Sequence, residues 1–305
     1  MWLAGCAVTP DRTLDLVCVS YLADTQLLRV GAYPPANGGA VIDHIGASIG
    51  ADGPLTAVTA ARLGLRTGLV ANSVGPDPVG HKLLEALDSI GVEHAITTLQ
   101  DTITPQLTVI IDDSGTRTWL AALAHAPEQL EAANLHLLGH TRLIYIDCYR
   151  VLTRAAVRAI QAAGDTPLLL NLGGDTVDEA IVAATHGQRI AAVQTSIDEP
   201  DSATAATVAN TLYAQLRPDA ALVTIGRLGA VARTKAGIVR EAAPPVVVAH
   251  THGAGAAFSA GYAHALLTGQ PIDAALRAAC SAGSAYCAGP TATVPHHLPA
   301  ALATS

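Results

Sequence analysis

The chain has 305 residues, half of them hydrophobic, which is enough to bury a large core as one domain with a small appendage. Seventeen Lys and Arg against twenty-five Asp and Glu give a net charge of -8. That balance excludes a surface built for nucleic acid or anionic lipid, where phosphates are met by clustered basic residues.

Residues 1–12, MWLAGCAVTPDR, have no basic region, and Pro10 and Asp11 break the apolar run, so no secretory signal is expected. Leu14 to Val19 reads as a buried first strand leading to Asp24, a carboxylate suited either to ligand hydroxyls or to capping a turn. Between Tyr33 and Asp52, Pro34-Pro35 and Asn37-Gly38-Gly39 precede alternating apolar residues, which predicts strands outside the main sheet with His44 on their surface. Gly50-Ala51-Asp52-Gly53 then opens a helix carrying Ala57, Ala60, Ala61 and Leu63, where Asp52 and Gly53 either meet a ligand or cap the helix. From Leu69 a strand, a capping Asp77 and an amphipathic helix follow, and Thr102 to Thr118 reads as two strands turned at Asp113-Ser114-Gly115.

The middle alternates strand and helix: Leu143 to Tyr149, Leu152 to Ala163, Leu168 to Leu172, and Asp178 to Thr185. This order predicts a parallel sheet covered by helices on both faces, with ligands at the carboxyl ends of its strands. Those ends carry Asp147, Asn171 and Gly173-Gly174-Asp175, each either a site residue or a turn former. Ile190 to Glu199 ends on an acid, and Leu222 to Ala232 reads as a strand and a glycine turn. Val246-Val247-Val248, Gly253-Ala254-Gly255 and the periodic Phe258, Tyr262, Ala265 and Leu266 read as strand, turn and helix. Such a turn converges backbone N–H groups on an anion at the positive end of the helix dipole.

Only 3% of the residues are aromatic, so Ala, Val, Leu and Ile must fill the core. The five cysteines, Cys6, Cys18, Cys148, Cys280 and Cys287, contain no CxxC pair, so neither a disulfide framework nor a zinc site is implied, and a cytoplasmic location fits. Cys280 and Cys287 read as buried small hydrophobes and His296-His297 as an exposed tail. No segment is long and apolar enough to span a membrane.

The run His250-Thr251-His252-Gly253-Ala254-Gly255-Ala256 resembles the D-T-x-G-A-G-D signature of the ribokinase (PfkB) family of carbohydrate and nucleoside kinases. The resemblance implies an α/β, ribokinase-like doubly wound and mainly parallel sheet, a single domain over 1–305 with a small β-sheet lid formed by 33–52 and 102–118. It also implies an anion hole of Gly253, Ala254 and Gly255, substrate contacts at Asp24, Gly50, Asp52 and Gly53, and a nucleotide turn of Thr224, Gly226 and Gly229. Glu199 matches the acid of the family's N-x-x-E, which helps to organise a metal, so ATP and Mg²⁺ are the cofactors implied. A homodimer through the lid, with Val41, Ile42 and Ile45 as its apolar surface, is expected, and neither nucleic acid nor membrane as a partner.

Five departures fall at separate parts of one reaction. Ala51 replaces the second glycine of the helix start, Leu55 the substrate-reading Asn, Ser196 the metal-side Asn, His250 the first signature Asp, and Ala256 the catalytic Asp. The sequence therefore predicts a protein that binds a sugar-, nucleoside- or phosphate-bearing small molecule with ordinary ATP-dependent transfer lost or rerouted. Two alternatives stay open: a working kinase whose substitute catalytic residues are His252 or His250, and a regulatory pseudoenzyme acting on another subunit.

Overall fold

A computed structural model describes residues 14–113, 115 and 117–289. The start before Leu14 with Cys6, Ser114 of the hairpin turn, and the tail with His296-His297 lie outside the described residues. In chain order β1 (Leu14–Val19), β2 (Ala23–Val30) and β3 (Ile42–Gly50) lead to α1 (Asp52–Arg62), β4 (Thr67–Val70), α2 (Pro78–Ile90) and the short β5 (Glu93–His94). The hairpin β6 (Gln106–Ile111) and β7 (Arg117–Ala122) and the helix α3 (Ala126–Ala132) complete the first half. The second half runs β8 (Thr141–Asp147), α4 (Thr153–Ala162), β9 (Leu168–Asn171), α5 (Glu179–Ala184), β10 (Ile190–Ser196), α6 (Ala205–Leu216) and β11 (Ala220–Thr224). It ends with β12 (Ala230–Thr234), β13 (Gly237–Glu241), α7 (Ala254–Leu267) and α8 (Ile272–Ala288).

Two sheets form. The large one has the order β13-β12-β11-β10-β9-β8-β1-β4-β5, parallel from β11 through β5 and antiparallel at β11-β12-β13. Its central strands are apolar on both faces, as parallel strands covered by helices must be. Alternation within β1 shows the two cores: Leu16 and Cys18 join α1, α2, α7 and α8, whereas Leu14, Val17 and Val19 face α3 and α4. Local signals set the helix ends. Asp77 caps α2 by accepting from the Gly80 N–H at 2.7 Å, and Gly91 ends it in the left-handed region at φ 82°.

The small sheet has the order β3-β2-β6-β7, with only the β2–β6 pair parallel. It takes in β2, which the punctuation of the sequence did not mark as part of the lid, and β7 extends past Thr118 to Ala122. Val41, Ile42, Trp119 and Leu120 are exposed on it, while Ile45 is half-buried.

One expected strand is absent. Val246-Val247-Val248 is an exposed loop, with Val247 at 90%. Pro244 and Pro245 ahead of it cannot donate ladder hydrogen bonds, and the segment must cross from β13 to α7, where Ala249 N–H bonds to the Cys287 carbonyl at the end of α8. Cys280 and Cys287 are buried in α8, and no helix among the described residues is long and apolar enough to cross a membrane.

A core poor in aromatics is filled by bringing backbones close together. α7 is buried on nearly every side, and a Cβ added at Gly261 would lie 2.6 Å from the Ala282 Cβ and 3.0 Å from the Ala278 carbonyl. Gly261→Val would force α7 and α8 apart. A loss of about 1–3 kcal/mol, occasionally more, is expected from such overpacking; urea unfolding at unchanged midpoint would contradict this packing.

Candidate functional site

The carboxyl ends of β1, β8 and β9 meet the start of α1 at a buried polar cluster. Asp147, the last residue of β8, is the centre of it. Its Oδ2 accepts from Ser20 Oγ at 2.5 Å and from the Gly53 N–H at 2.9 Å, and its Oδ1 from Tyr145 Oη at 2.7 Å and Asn171 Nδ2 at 2.8 Å. The Asn171 amide also lies 3.2 Å from Asp52 Oδ2, which accepts from Tyr149 Oη at 2.6 Å. The first turn of α1 thus aims an N–H and its dipole at a carboxylate, and Gly53 is needed there because a Cβ would run into the Ser20 side chain. Burial first, and the charge of Asp52 second, push the Asp147 carboxyl up to about 7, while its Ser20, Tyr145 and Asn171 partners pull the other way.

Sequence reading named Asp147, Asn171, Asp52 and Gly53 separately, and the structure brings all four together. It passed over Ser20, Tyr145 and Tyr149. The signal was present: Tyr145, Asp147 and Tyr149 recur every second residue, which sets their polar tips on one side of the chain. Gly173 follows at φ 63° with its N–H on Asn171 Oδ1, and Asp175 lies away from this cluster, accepting from the Arg150 N–H at 3.0 Å. Leu55 is fully buried in the core.

Gly50 and Ala51 join the lid to α1. A Cβ at Gly50 would approach Thr25 Oγ1 to 2.5 Å, and Ala51 holds φ 70° and ψ 157°, a conformation that favours glycine and costs a side chain on the order of 1–3 kcal/mol. Asp24 sits half-buried at the start of β2, where it pairs with Ile49 of β3.

The second part of the site is the start of α7. Gly253 caps the helix at φ 81°, and a Cβ there would meet the Tyr286 ring at 2.9 Å. At Gly255 a Cβ would meet only Gln194 Nε2, at 3.9 Å, so the turn depends on Gly253 more than on Gly255. Gln194 Nε2 donates to the Gly255 carbonyl at 3.3 Å, and Thr56 Oγ1 to that of Ala256 at 3.3 Å. Ala256 has no exposed surface and brings only a methyl group to the position of the catalytic Asp.

The two histidines have different surroundings. His250 packs edge-on against Tyr286, and its ring nitrogens lie 3.2 Å and 3.1 Å from the His252 and Gly289 carbonyls, which ties the loop to the end of α8. His252 is buried, and its Nε2 has no partner among the described residues. Burial, helped by Arg117, lowers its imidazole to about 4 against the pull of Asp52 and Ile49. Arg117 donates to the Thr251 carbonyl at 3.1 Å, joining β7 of the lid to this loop.

The third part lies at the ends of β10 and β11. Thr224 ends β11, Gly226 and Gly229 shape the turn to β12, and a Cβ at Gly229 would drive into the backbone of Glu241 and Ala243. Glu199 is bound to this turn: Oε1 accepts from the Arg227 N–H at 3.0 Å and Oε2 pairs with Arg227 Nε at 2.6 Å. Ser196 donates to the Gly173 carbonyl at 2.8 Å. Glu199 and Ser196 thus have protein partners in this structure, and their carboxylate and hydroxyl are the oxygens that would help to hold Mg²⁺ together with waters and phosphate. A separate cleft of about 450 Å³ lies at the opposite, amino ends of β8 to β10, where its Arg142 and Arg189 are already paired with Asp15 and Asp219.

Asp147 and His252 couple stability to pH in opposite directions. The folded value of Asp147 lies above its ordinary 3.8, so between about pH 4 and 7 the folded state holds a proton the unfolded state lacks, and acidification is stabilising. The folded value of His252 lies below its ordinary 6.5, so acidification through that range is destabilising. Asp147→Asn is therefore expected to lose stability relative to the wild type between pH 7 and 5, and His252→Phe to gain it. Parallel melting-temperature profiles for all three proteins would contradict this.

The chain matches the model of the pfkB family of carbohydrate kinases over residues 52–297. No curated protein matches it. Among solved structures it resembles Arabidopsis thaliana ribokinase complexed with ribose and ATP, at 19% identity and a TM-score of 0.70, over 92% of this chain and 95% of that one. It likewise resembles the Methanocaldococcus jannaschii nucleoside kinase, at 17% identity and a TM-score of 0.72, over 92% and 94%. A ribokinase from Thermotoga maritima gives 15% identity and a TM-score of 0.72 over the same shares. The family match spans most of the sequence, the neighbours share both its sheets, and the chain belongs to the pfkB carbohydrate kinase family.

Proposed function

We propose that this chain binds a small polar molecule, bearing sugar, nucleoside or phosphate groups, and that the ordinary ATP-dependent phosphoryl transfer of its family is lost. The observation that carries the reading is Ala256. A buried methyl stands where the signature places the general base, and no other carboxylate is supplied by the first turn of α7. Loss of such a base costs about two to four decades of rate, or roughly 3–5 kcal/mol of barrier. The leucine at position 55, fully buried, brings no polar group to the same reaction.

Binding is a different matter. The α7 turn uses backbone, and the polar cluster of Asp52, Asp147 and Asn171 presents a half-exposed carboxylate at the strand ends. A substitute base is the second reading, favoured by the unpartnered Nε2 of His252. An imidazole lowered to about 4 is neutral at physiological pH but gains little by taking a proton. ATP enters this proposal only as a ligand of the Thr224 to Gly229 turn, with no step through it.

The protein is further proposed to be cytoplasmic, in keeping with the four free buried cysteines among the described residues, and to pair with a second copy through the lid, in keeping with the exposed Trp119, Leu120, Val41 and Ile42. Nucleic acid and membrane are not among its partners. Light scattering should give twice the monomer mass, and Trp119→Glu should give the monomer; a wild-type monomer at high concentration would refute the dimer.

The function is tested by assaying ADP formation from ATP and Mg²⁺ with ribose, other common sugars and nucleosides. The wild type should not exceed the protein-free control, and Ala256→Asp alone should restore transfer only in part, because Leu55 and His250 remain. Robust wild-type turnover that disappears in His252→Ala would establish the substitute-base kinase instead.

A further inference from the structure

The carboxylate of Glu199 is clasped by the turn between β11 and β12. Oε1 accepts from the Arg227 N–H at 3.0 Å and Oε2 lies 2.6 Å from Arg227 Nε, so one residue occupies both oxygens. The turn is shaped to this contact, because a Cβ at Gly226, where φ is 51°, would lie 2.7 Å from Oε1. The two bonds differ in permanence. The N–H belongs to the turn, whereas the Arg227 side chain is 83% exposed and its Nη1 and Nη2 have no partner among the described residues. The guanidinium can leave Oε2 by giving up a single contact, and an ion pair this open to water holds weakly.

Mg²⁺ is a hard cation that keeps several waters, and a carboxylate beside it accepts hydrogen bonds from them or binds the ion itself. Either way the lone pairs of Oε2 and its negative charge are what the ion needs, and Arg227 already draws on both. Ser196 differs: its Oγ donates to the Gly173 carbonyl and keeps lone pairs for a second partner. Resting on the reading of Glu199 as an acid of a Mg²⁺ site, we propose that Arg227 competes with the divalent cation for Glu199 Oε2, an autoinhibitory contact that releases the acid to the metal only when the guanidinium turns away. The cation and the guanidinium are then alternatives, since like charges drawn to one oxygen repel each other.

The full chain is titrated with Mn²⁺, a paramagnetic stand-in for Mg²⁺, and broadening of the amide NMR signals of Gly226 to Gly229 is followed. Arg227→Met, which keeps the length of the side chain and removes its charge, should reach half-broadening at about two- to fivefold less Mn²⁺ than the wild type, the range set by an exposed ion pair. Arg62→Met, at an exposed arginine that ends α1, should leave the midpoint where it was. Titration with Mg²⁺ should move the Arg227 Nε–H signal of the wild type toward its position in Glu199→Ala. Equal midpoints in the wild type and Arg227→Met, an equal fall in Arg62→Met, or an Nε–H signal unmoved by Mg²⁺ overturns the competition and leaves Glu199 as a metal acid. Broadening in neither the wild type nor Arg227→Met, or broadening that persists when Glu199→Ala is added to Arg227→Met, shows that Glu199 takes no metal, and then the reading falls with the proposal.

Discussion

The site depends on one buried carboxylate. Asp147 has almost no exposed surface, and a charge in that position is tolerable only with donors on both oxygens. The chain supplies four from four places: the loop after β1, the first turn of α1, the strand β8 itself and the end of β9. Each such hydrogen bond contributes about 0.5–1.5 kcal/mol net, and more while the carboxyl is ionised, so Asp147 fixes the strand ends and the helix start in one arrangement. Asp52 is then held beside it through the shared amide of Asn171, and this carboxylate, not the buried one, is open to a ligand.

Around that frame several side chains of the family signature are replaced. The α7 turn survives because it is made of backbone and needs only a glycine at φ 81° with an aromatic ring behind it. The side chains that would act through the turn do not survive in the same way. Ala256 has no acid, His250 ties the loop to the end of α8, and Glu199 pairs with Arg227 of its neighbouring turn.

Much of this was legible in the sequence. β1 was bounded correctly because its apolar run is uninterrupted, and the start of α2 was marked by its capping Asp77. Asp147, Asn171 and Asp52 were each visible as strand-end or helix-start polar residues. Their meeting was not, since it depends on β1 lying between β4 and β8, a pairing set by tertiary packing. The Val246 to Val248 run misled because β-branched residues favour strands only where a partner strand exists, and β2 escaped notice because its alternation is interrupted by no turn residue. The role of Glu199 turned on Arg227, twenty-eight residues away, which no local pattern connects to it.

The most direct measurement is calorimetric titration of the wild type with adenosine and with ribose in the absence of ATP and Mg²⁺. Saturable binding of a hydroxylated ligand, recovered chemically unchanged after later addition of ATP and Mg²⁺, is the result this account predicts. Binding that appears only with ATP and Mg²⁺ and is accompanied by a phosphorylated product would contradict it.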